Sequence, residues 1–585
     1  MFLDNLEKMI CGQNYSVNLI KDNINRIIDS LEKGFATIRF AELVEDPTSR
    51  DSVNAAVTAL NGMLKDDDVV DLSGSYVWPT VNFTTGTKNN IKYKNGTFKR
   101  LDNIGVEYLF WLNGEDSSVS YCNFDGGSAS IPTWGQQCIY IPEAVNVKVH
   151  ANTFKNIGDA AIRFARKASQ IDELTKNVII SNNVFQNVGQ ITSNDTGALR
   201  VNINGNIFDH TPVKITQTQL LSGEGQTHIV NNIFKQTAKD RKLVEVQGGE
   251  NVKISQNSFI GEGLDICIGL YPNTSFKAPL TDKIPLKNII IENNEFYMKD
   301  VKTILYLEAK QKEDLSPELN EESFISVSGN KVWSAPADAS PVRTRFLVTY
   351  IRDDVDATPT SFAKRFSVTN NEIYGEVVIF VRLFEHGMNP GDTIYIKDNI
   401  CSKAIDSFMT LHLNGLNGDS GDIYVSGNYC ETPVIFDNST YPSQKRVRSL
   451  TLSNNHFKIV NDSVISDPVT GLELNFADNV KSYKIKDNIF EVESEDITGE
   501  LISVIPPASV VDSVGTQLWV IDNTLIKPYD NASLAEMSSL DIKATSTDGT
   551  IEKLYCSNNK YGGSLTAPVS NETSIAIGDI NLTSF

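Results

Sequence analysis

Acidic, basic and aromatic residues recur in one kind of short segment along this 585-residue chain. The segments read AAIRFAR (160–166), KLVEVQG (242–248), DICIGLY (265–271), TILYLEA (303–309), FLVTYIRDD (346–354), VVIFVRLFEH (377–386) and FMTLHLN (408–414). Apolar residues line one face of each, and the other positions carry Arg163, Arg166, Glu245, Tyr306, Glu308, Arg352, Arg382, Glu385 and His412. These residue types suit saccharide chemistry. Hydrolysis of a glycosidic bond needs two carboxyl groups flanking it, one as acid and one as base or nucleophile. Sugar rings lie on aromatic faces, and Arg offers a rigid fork of donors to oxygen acceptors. Glu245, Glu308, Asp353 and Glu385 are therefore the candidate catalytic carboxylates, with Asp354 a further member. Arg163, Tyr306, Arg352, Arg382 and His412 are the candidate substrate-binding residues.

Such residues act together only if a scaffold stacks the segments, and a repeat supplies one. An alternating apolar strand ends in Asn and then an apolar residue, as in VNVKVHANTF, NVIISNNVF and LRVNINGNIF. The Asn fall at 152, 183, 206, 232, 257, 294, 330, 371, 399, 428, 455, 488, 523 and 559, with gaps of 23 to 41 residues. The shortest gaps fit one coil of a solenoid. Stacked coils lie about 4.8 Å apart. An Asn at the same corner of each tolerates a left-handed turn and can bond its amide to the Asn above and below. A β-sandwich or propeller would need hairpins between these strands. The expected fold is all-β: a right-handed single-stranded parallel β-helix with a short N-terminal helical segment and a small C-terminal cap. The segments that carry the candidate residues are expected to be the second strand of each coil, directly after the Asn corner.

The ends follow other rules. Leu3, Leu6, Ile10, Val17, Ile20, Ile24, Ile27 and Leu31 keep one heptad phase, with Gln13 as a polar exception and Gly34 as a stop. Residues 1–48 are expected to form a helical stem or adaptor, either a three-stranded coiled coil or an amphipathic helix on the side of the domain. Residues 51–64 read as a helix covering the open end of the apolar core, with DVVDLSGSYVW after it as the first strand. The β-helix is expected over 49–560. Residues 561–585 lose the repeat and read as a cap or oligomer contact.

The bulk composition excludes several classes. The net charge is −21 with no basic stripe, against a nucleic-acid partner. No stretch of 18 apolar residues stands in the chain, so no membrane partner is expected. The N-terminus MFLDNLEKM lacks the pattern of a secretory signal, and seven scattered Cys without a CxxC pair suit reduced, buried thiols made in a cytoplasm. None of the six His has ligand spacing, and Asp66–Asp68 reads as a solvated turn, so neither metal nor cofactor is expected.

At this level the segment SRDSVNAAVTALNGMLKDDDVVDLSGSYVW (49–78), a helix followed by a strand ending in Gly-x-Tyr, resembles the opening of pectate-lyase-like β-helix proteins. With a helical stub and a long Asn-rich β-helix, the chain resembles bacteriophage tailspikes and capsule depolymerases over roughly residues 45–560. It departs from them where EDPTSRDS replaces the usual Gly-Asp-Gly…Asp-Asp run. The resemblance implies a homotrimer on the virion tail, made in the host cytoplasm and joined by its N-terminus to a phage tail or baseplate adaptor. It also implies that the protein binds and depolymerises a bacterial capsular polysaccharide or O-antigen at the cell surface.

Three long gaps in succession, ending at Asn294, Asn330 and Asn371, place insertions around 271–287, 309–323 and 353–364. Loops grafted on a solenoid tend to line its binding face, which puts the site within 240–415. Glu245 and Glu308 are expected two coils apart, about 10 Å, near the inverting range. Glu308 and Asp353 are expected one coil apart, near the retaining range of about 5 Å. Glu245 beside Arg163 reads equally as a cross-coil ion pair. A polysaccharide lyase is the alternative activity, with Tyr306, Tyr350 or His412 and Arg382 as its parts. A non-catalytic receptor-binding fibre is the third reading.

Overall fold

In a computed structural model the chain forms a long parallel β-helix. The structure describes residues 37–101, 107–127, 137–142, 144–165, 175–193, 199–216, 225–237, 242–248, 250–271, 286–310, 323–335, 344–352, 363–388, 390–415, 420–437, 447–460, 472–475, 480–492, 502–505, 516–526, 541–542, 551–562 and 577–583. The heptad-patterned N-terminal segment lies outside the described residues.

Each full coil has three strands. In one coil these are Gln226–Val230, Ile233–Gln236 and Lys242–Gln247. Each pairs in parallel with its equivalent in the next coil: Thr227 with Val252, Phe234 with Phe259, and Glu245 with Gly269. Because side chains alternate across a strand, one set of positions fills the interior all along the stack. Ile203, Ile229, Ile254, Ile289 and Ile291 are all fully buried.

The corner after the first strand is built differently from the expectation. The left-handed residue is not the conserved-phase Asn but the one before it: Asn182, Asn231, Gln256, Asn293, Asn370 and Asn454 have φ between 53° and 56°. Bending one residue early leaves the next Asn inside the stack. Asn232 is 1% exposed; its N–H and its amide both donate to Asn257 Oδ1, at 2.9 and 3.0 Å, and the amide also donates to the Ile203 carbonyl at 2.9 Å. The amide-to-amide link runs unbroken from Asn152 to Asn559. Such an amide has both donor and acceptor capacity used, so its burial carries no orphan penalty.

The second strand follows at once and points Phe inward. Phe124, Phe154, Phe185, Phe208, Phe234, Phe259 and Phe296 stack in sequence with centroids 4.6 to 5.0 Å apart. Cys401 and Cys430 take the same row further on, and both are buried. Among the described residues Cys122, Cys138, Cys267, Cys401 and Cys430 are free, buried thiols.

The helix Arg50–Met63 closes the N-terminal end, within a residue of its expected bounds. Ser49 caps it by accepting from the Ser52 N–H, and Val53, Ala56, Val57 and Leu60 turn inward. Phe40 packs edge-on to Phe83 at 5.3 Å. Two end strands extend the stack beyond the expectation. Thr37–Arg39 pairs with Val69–Asp71, so the strand Val69–Val77 is not the outermost one. Ile577–Thr583 pairs with Ile551–Ser557, so this part of the presumed cap continues the first-strand stack. In Val69–Val77, Gly74 has φ 141°, and a Cβ there would meet the Tyr76 hydroxyl at 2.5 Å. That close approach explains the Gly in Gly-x-Tyr.

Candidate functional site

The candidate residues lie on the third strand of each coil, not the second. A short Phe-bearing strand stands between the Asn corner and them. In Thr153–Ala165 and Glu372–Met388 the two run together as one bent strand, which is why period-2 patterning alone hides the boundary. The expectation of one outward stripe holds for part of the set. A continuous register row runs Trp111, Tyr140, Arg163, Thr192, Lys214, Glu245, Gly269, Tyr306, Val348, Arg382, Thr410. Glu308 belongs to a neighbouring row, two residues along the strand, where it faces Tyr350.

Glu245 and Glu308 are two coils apart, as the spacing implies, but they are also out of register by those two residues. Coil spacing and strand rise together put their backbones about 12 Å apart instead of about 10 Å. Their side chains share a neighbour, Tyr271. Burial and then the charges of Glu245 and Glu308 push the Tyr271 phenol far above its usual range. Tyr306 lies on the next coil, its ring 5.6 Å from that of Tyr271, and its hydroxyl donates to Glu308 Oε2 at 3.2 Å. Burial, then Glu308, pushes the Tyr306 phenol up as well. Both phenols thus keep their protons at neutral pH.

Glu245 is held from several sides. Lys242 Nζ lies 3.3 Å and Lys214 Nζ 3.6 Å from its carboxylate, and Gln247 Nε2 donates to Oε1 at 2.5 Å. Its side chain is only 17% exposed, and Lys242 Nζ also sits 4.1 Å above the Tyr271 ring. The expected pairing of Glu245 with Arg163 does not occur. Three coil steps separate them along the row, and Lys214 and Lys242 take that role.

Tyr271, Lys242, Lys214 and Gln247 were not singled out by residue type. Tyr271 could be found by aligning third strands on their inward residues: Leu270 registers with Leu307, which puts the residues after them side by side. Arg382 is half-buried on the main row, two coils beyond Tyr306. Arg352 registers with Lys310, and Glu385 and His412 fall in the strands Glu372–Met388 and Ile400–Gly415. Nothing of these three side chains is described. Asp353, Asp354 and Arg166 lie outside the described residues, as does most of each of the three insertions. Their roots are described: the third strands of three successive coils end at Tyr271, Lys310 and Arg352. All three insertions therefore leave from the same corner, at the end of the strand that carries Tyr271, Tyr306 and Glu308, or Tyr350.

The arrangement offers two carboxylates, phenols that can donate but not accept a proton at neutral pH, and aromatic faces on successive coils. Among the described residues no group of three His, Cys, Asp or Glu is placed to hold a metal ion, and no helix is long and apolar enough to cross a membrane.

No family model and no curated protein matches the chain. Solved structures match the chain at low similarity. A hyperthermoactive exopolygalacturonase from Thermotoga maritima is 11% identical with a TM-score of 0.32, over 77% of this chain and 91% of that one. The PL6 family alginate lyase AlyGC is 10% identical with a TM-score of 0.21, over 93% of this chain and 100% of that one. The chain's own register, coil by coil, establishes the parallel β-helix.

Proposed function

We propose that this protein cleaves a polysaccharide by hydrolysis, with Glu245 and Glu308 as the reacting carboxylates and Tyr271 and Tyr306 between them. The observation that carries the reading is the register that sets Tyr271 on the coil between those of Glu245 and Glu308, beside the Tyr306–Glu308 hydrogen bond. A sugar ring laid on the tyrosine faces would have a carboxylate on either side, which is what acid and base catalysis of glycosidic cleavage requires. Lys214 and Lys242 hold Glu245, and the Tyr306 hydroxyl positions Glu308.

The lyase alternative needs a base to remove a proton beside a uronate. Tyr271 and Tyr306 are poor bases, because burial and the adjacent carboxylates hold their protons on. That weighs against Tyr306 as the base of a lyase. In the wider reading the chain is a phage tailspike that depolymerises capsule or O-antigen as a homotrimer. The resemblance of its Asn-rich solenoid and N-terminal segment supports it.

The test is a panel of bacterial capsular and O-antigen polysaccharides incubated with the full chain. Hydrolysis predicts new reducing ends without the ultraviolet absorbance of an unsaturated product. Reducing ends accompanied by that absorbance would make it a lyase. None across capsules of the strains it binds would make it a binding fibre.

A further inference from the structure

We propose that Tyr108, Trp111, Tyr140 and Arg163 form a second subsite, remote from Glu245 and Glu308, that holds a carboxylate-bearing sugar residue of a polysaccharide. This rests on the reading that the chain engages a polysaccharide, but not on how it cuts one.

The first observation is an aromatic cluster on the third strands of successive N-terminal coils. Tyr108 and Tyr140 stack at 4.5 Å with their planes 25° apart, and Trp111 stands edge-on to Tyr140 at 5.0 Å. All three are only half-buried, although side chains of this size are usually spent on a core. Half-buried, rigid rings presenting face and edge together suit the apolar face of a sugar.

The second observation is Arg163, the next residue of the same row. Its Nε is buried and makes no hydrogen bond. The nearest carboxylate on its own strand, Asp159, is engaged by Gln137 Nε2 at 2.7 Å, and no ion pair reaches Arg163 among the described residues. A guanidinium left this way beside aromatic faces lacks the planar acceptor that its geometry matches. A uronate carboxylate on a stacked sugar would supply one. A chain of net charge −21 repels an acidic polymer at long range, so capture needs a local cation of this kind.

The third observation is direction. Arg163 and Glu245 share one row, three coil steps or about 14 Å apart, with Lys214 between them. Tyr140 is six coil steps from Tyr306, about 29 Å. A polymer lying along the helix axis would meet the aromatic and Arg cluster first, then the carboxylates.

Affinity electrophoresis of the full chain through gels containing polygalacturonate, alginate, hyaluronate or neutral dextran tests this without requiring cleavage. At least one acidic polymer should retard the protein, and dextran should not. Arg163→Gln and Trp111→Ala should each weaken that retardation about tenfold in apparent Kd, while Arg163→Lys weakens it less. Glu262→Gln, which alters only an exposed surface ion pair outside both sites, should be retarded like the unmodified protein. Equal melting temperatures identify variants that remain folded. Retardation by none of the acidic polymers, equal retardation by dextran, or full retardation of folded Arg163→Gln and Trp111→Ala overturns the subsite. Loss of retardation in Glu262→Gln alone does so too. If the hydrolase reading fails, cleavage is absent while the retardation pattern stands.

Discussion

Tyr306 donates its hydroxyl to Glu308 Oε2 at 3.2 Å, two residues along the same strand. Residues at i and i+2 share the outward face, so the pair is fixed by strand geometry and needs no loop to assemble it. The phenol orients the carboxyl, and the carboxyl in turn helps keep the phenol protonated. Tyr306→Phe removes only the hydroxyl. It should lower turnover about tenfold, the cost of a hydrogen bond to a charged group, with the melting temperature nearly unchanged. Steady-state reducing-end assays measure it, and unaltered turnover would remove Tyr306 from a positioning role.

The Asn ladder predicts a large, local stability cost. Asn257→Ala strands the N–H of Asn232, takes one partner from the Asn232 amide and one from Asn294 Oδ1, and removes the amide that donates to the Ile229 carbonyl. Several buried polar groups lose partners at once, so the loss should exceed about 2 kcal/mol. Breaking the exposed Lys299–Glu262 pair at 3.4 Å should cost less than about 1 kcal/mol. Urea unfolding midpoints compare the two. Equal shifts would mean that the ladder does not stabilise the stack.

Phe208 sits in the Phe column, 5.0 Å from Phe185 and 4.6 Å from Phe234. Phe208→Ala leaves a cavity that rigid neighbours on both sides cannot fill, at a cost of about 3–5 kcal/mol. Hydrogen exchange should show protection falling first in the coils on either side of it, because each coil contacts only its neighbours.

Alkaline pH should destabilise the fold through its outward tyrosines. Burial, with Glu107 adding to it, pushes Tyr108 from 10.0 up to about 12. Burial, then the Glu295 hydrogen bond, does the same for Tyr297. Each phenol binds its proton more tightly folded than unfolded. Its contribution is complete below pH 10 and is lost as pH rises towards about 12. The melting temperature should fall across that window, and less steeply in Tyr108→Phe and Tyr297→Phe. Parallel curves for all three proteins would contradict the assignment.

The solenoid was legible because its signals are strictly periodic: the Asn phase, the alternation and the Phe that follows all survive loop insertion. The bend at Asn182 or Asn231 was not, since Asn-Asn pairs leave open which of the two turns and which is buried. The third-strand row was half legible. Charged residues such as Glu245 and Glu308 stood out by type. Their two-residue offset and the Tyr271 between them depend on register, which is set by inward contacts such as Leu270 on Leu307. The Lys214 partner of Glu245 was hidden because a cross-coil neighbour in a parallel stack stands roughly a whole repeat away in sequence.

The central claim is that Glu245 and Glu308 carry glycosidic cleavage. The most direct measurement is reducing-end release from the cleaved polysaccharide by Glu245→Gln and Glu308→Gln, with binding checked separately. Each variant should bind the polymer yet lose at least about a hundredfold in turnover. Turnover within a few-fold of the unmodified protein in both variants would contradict the account.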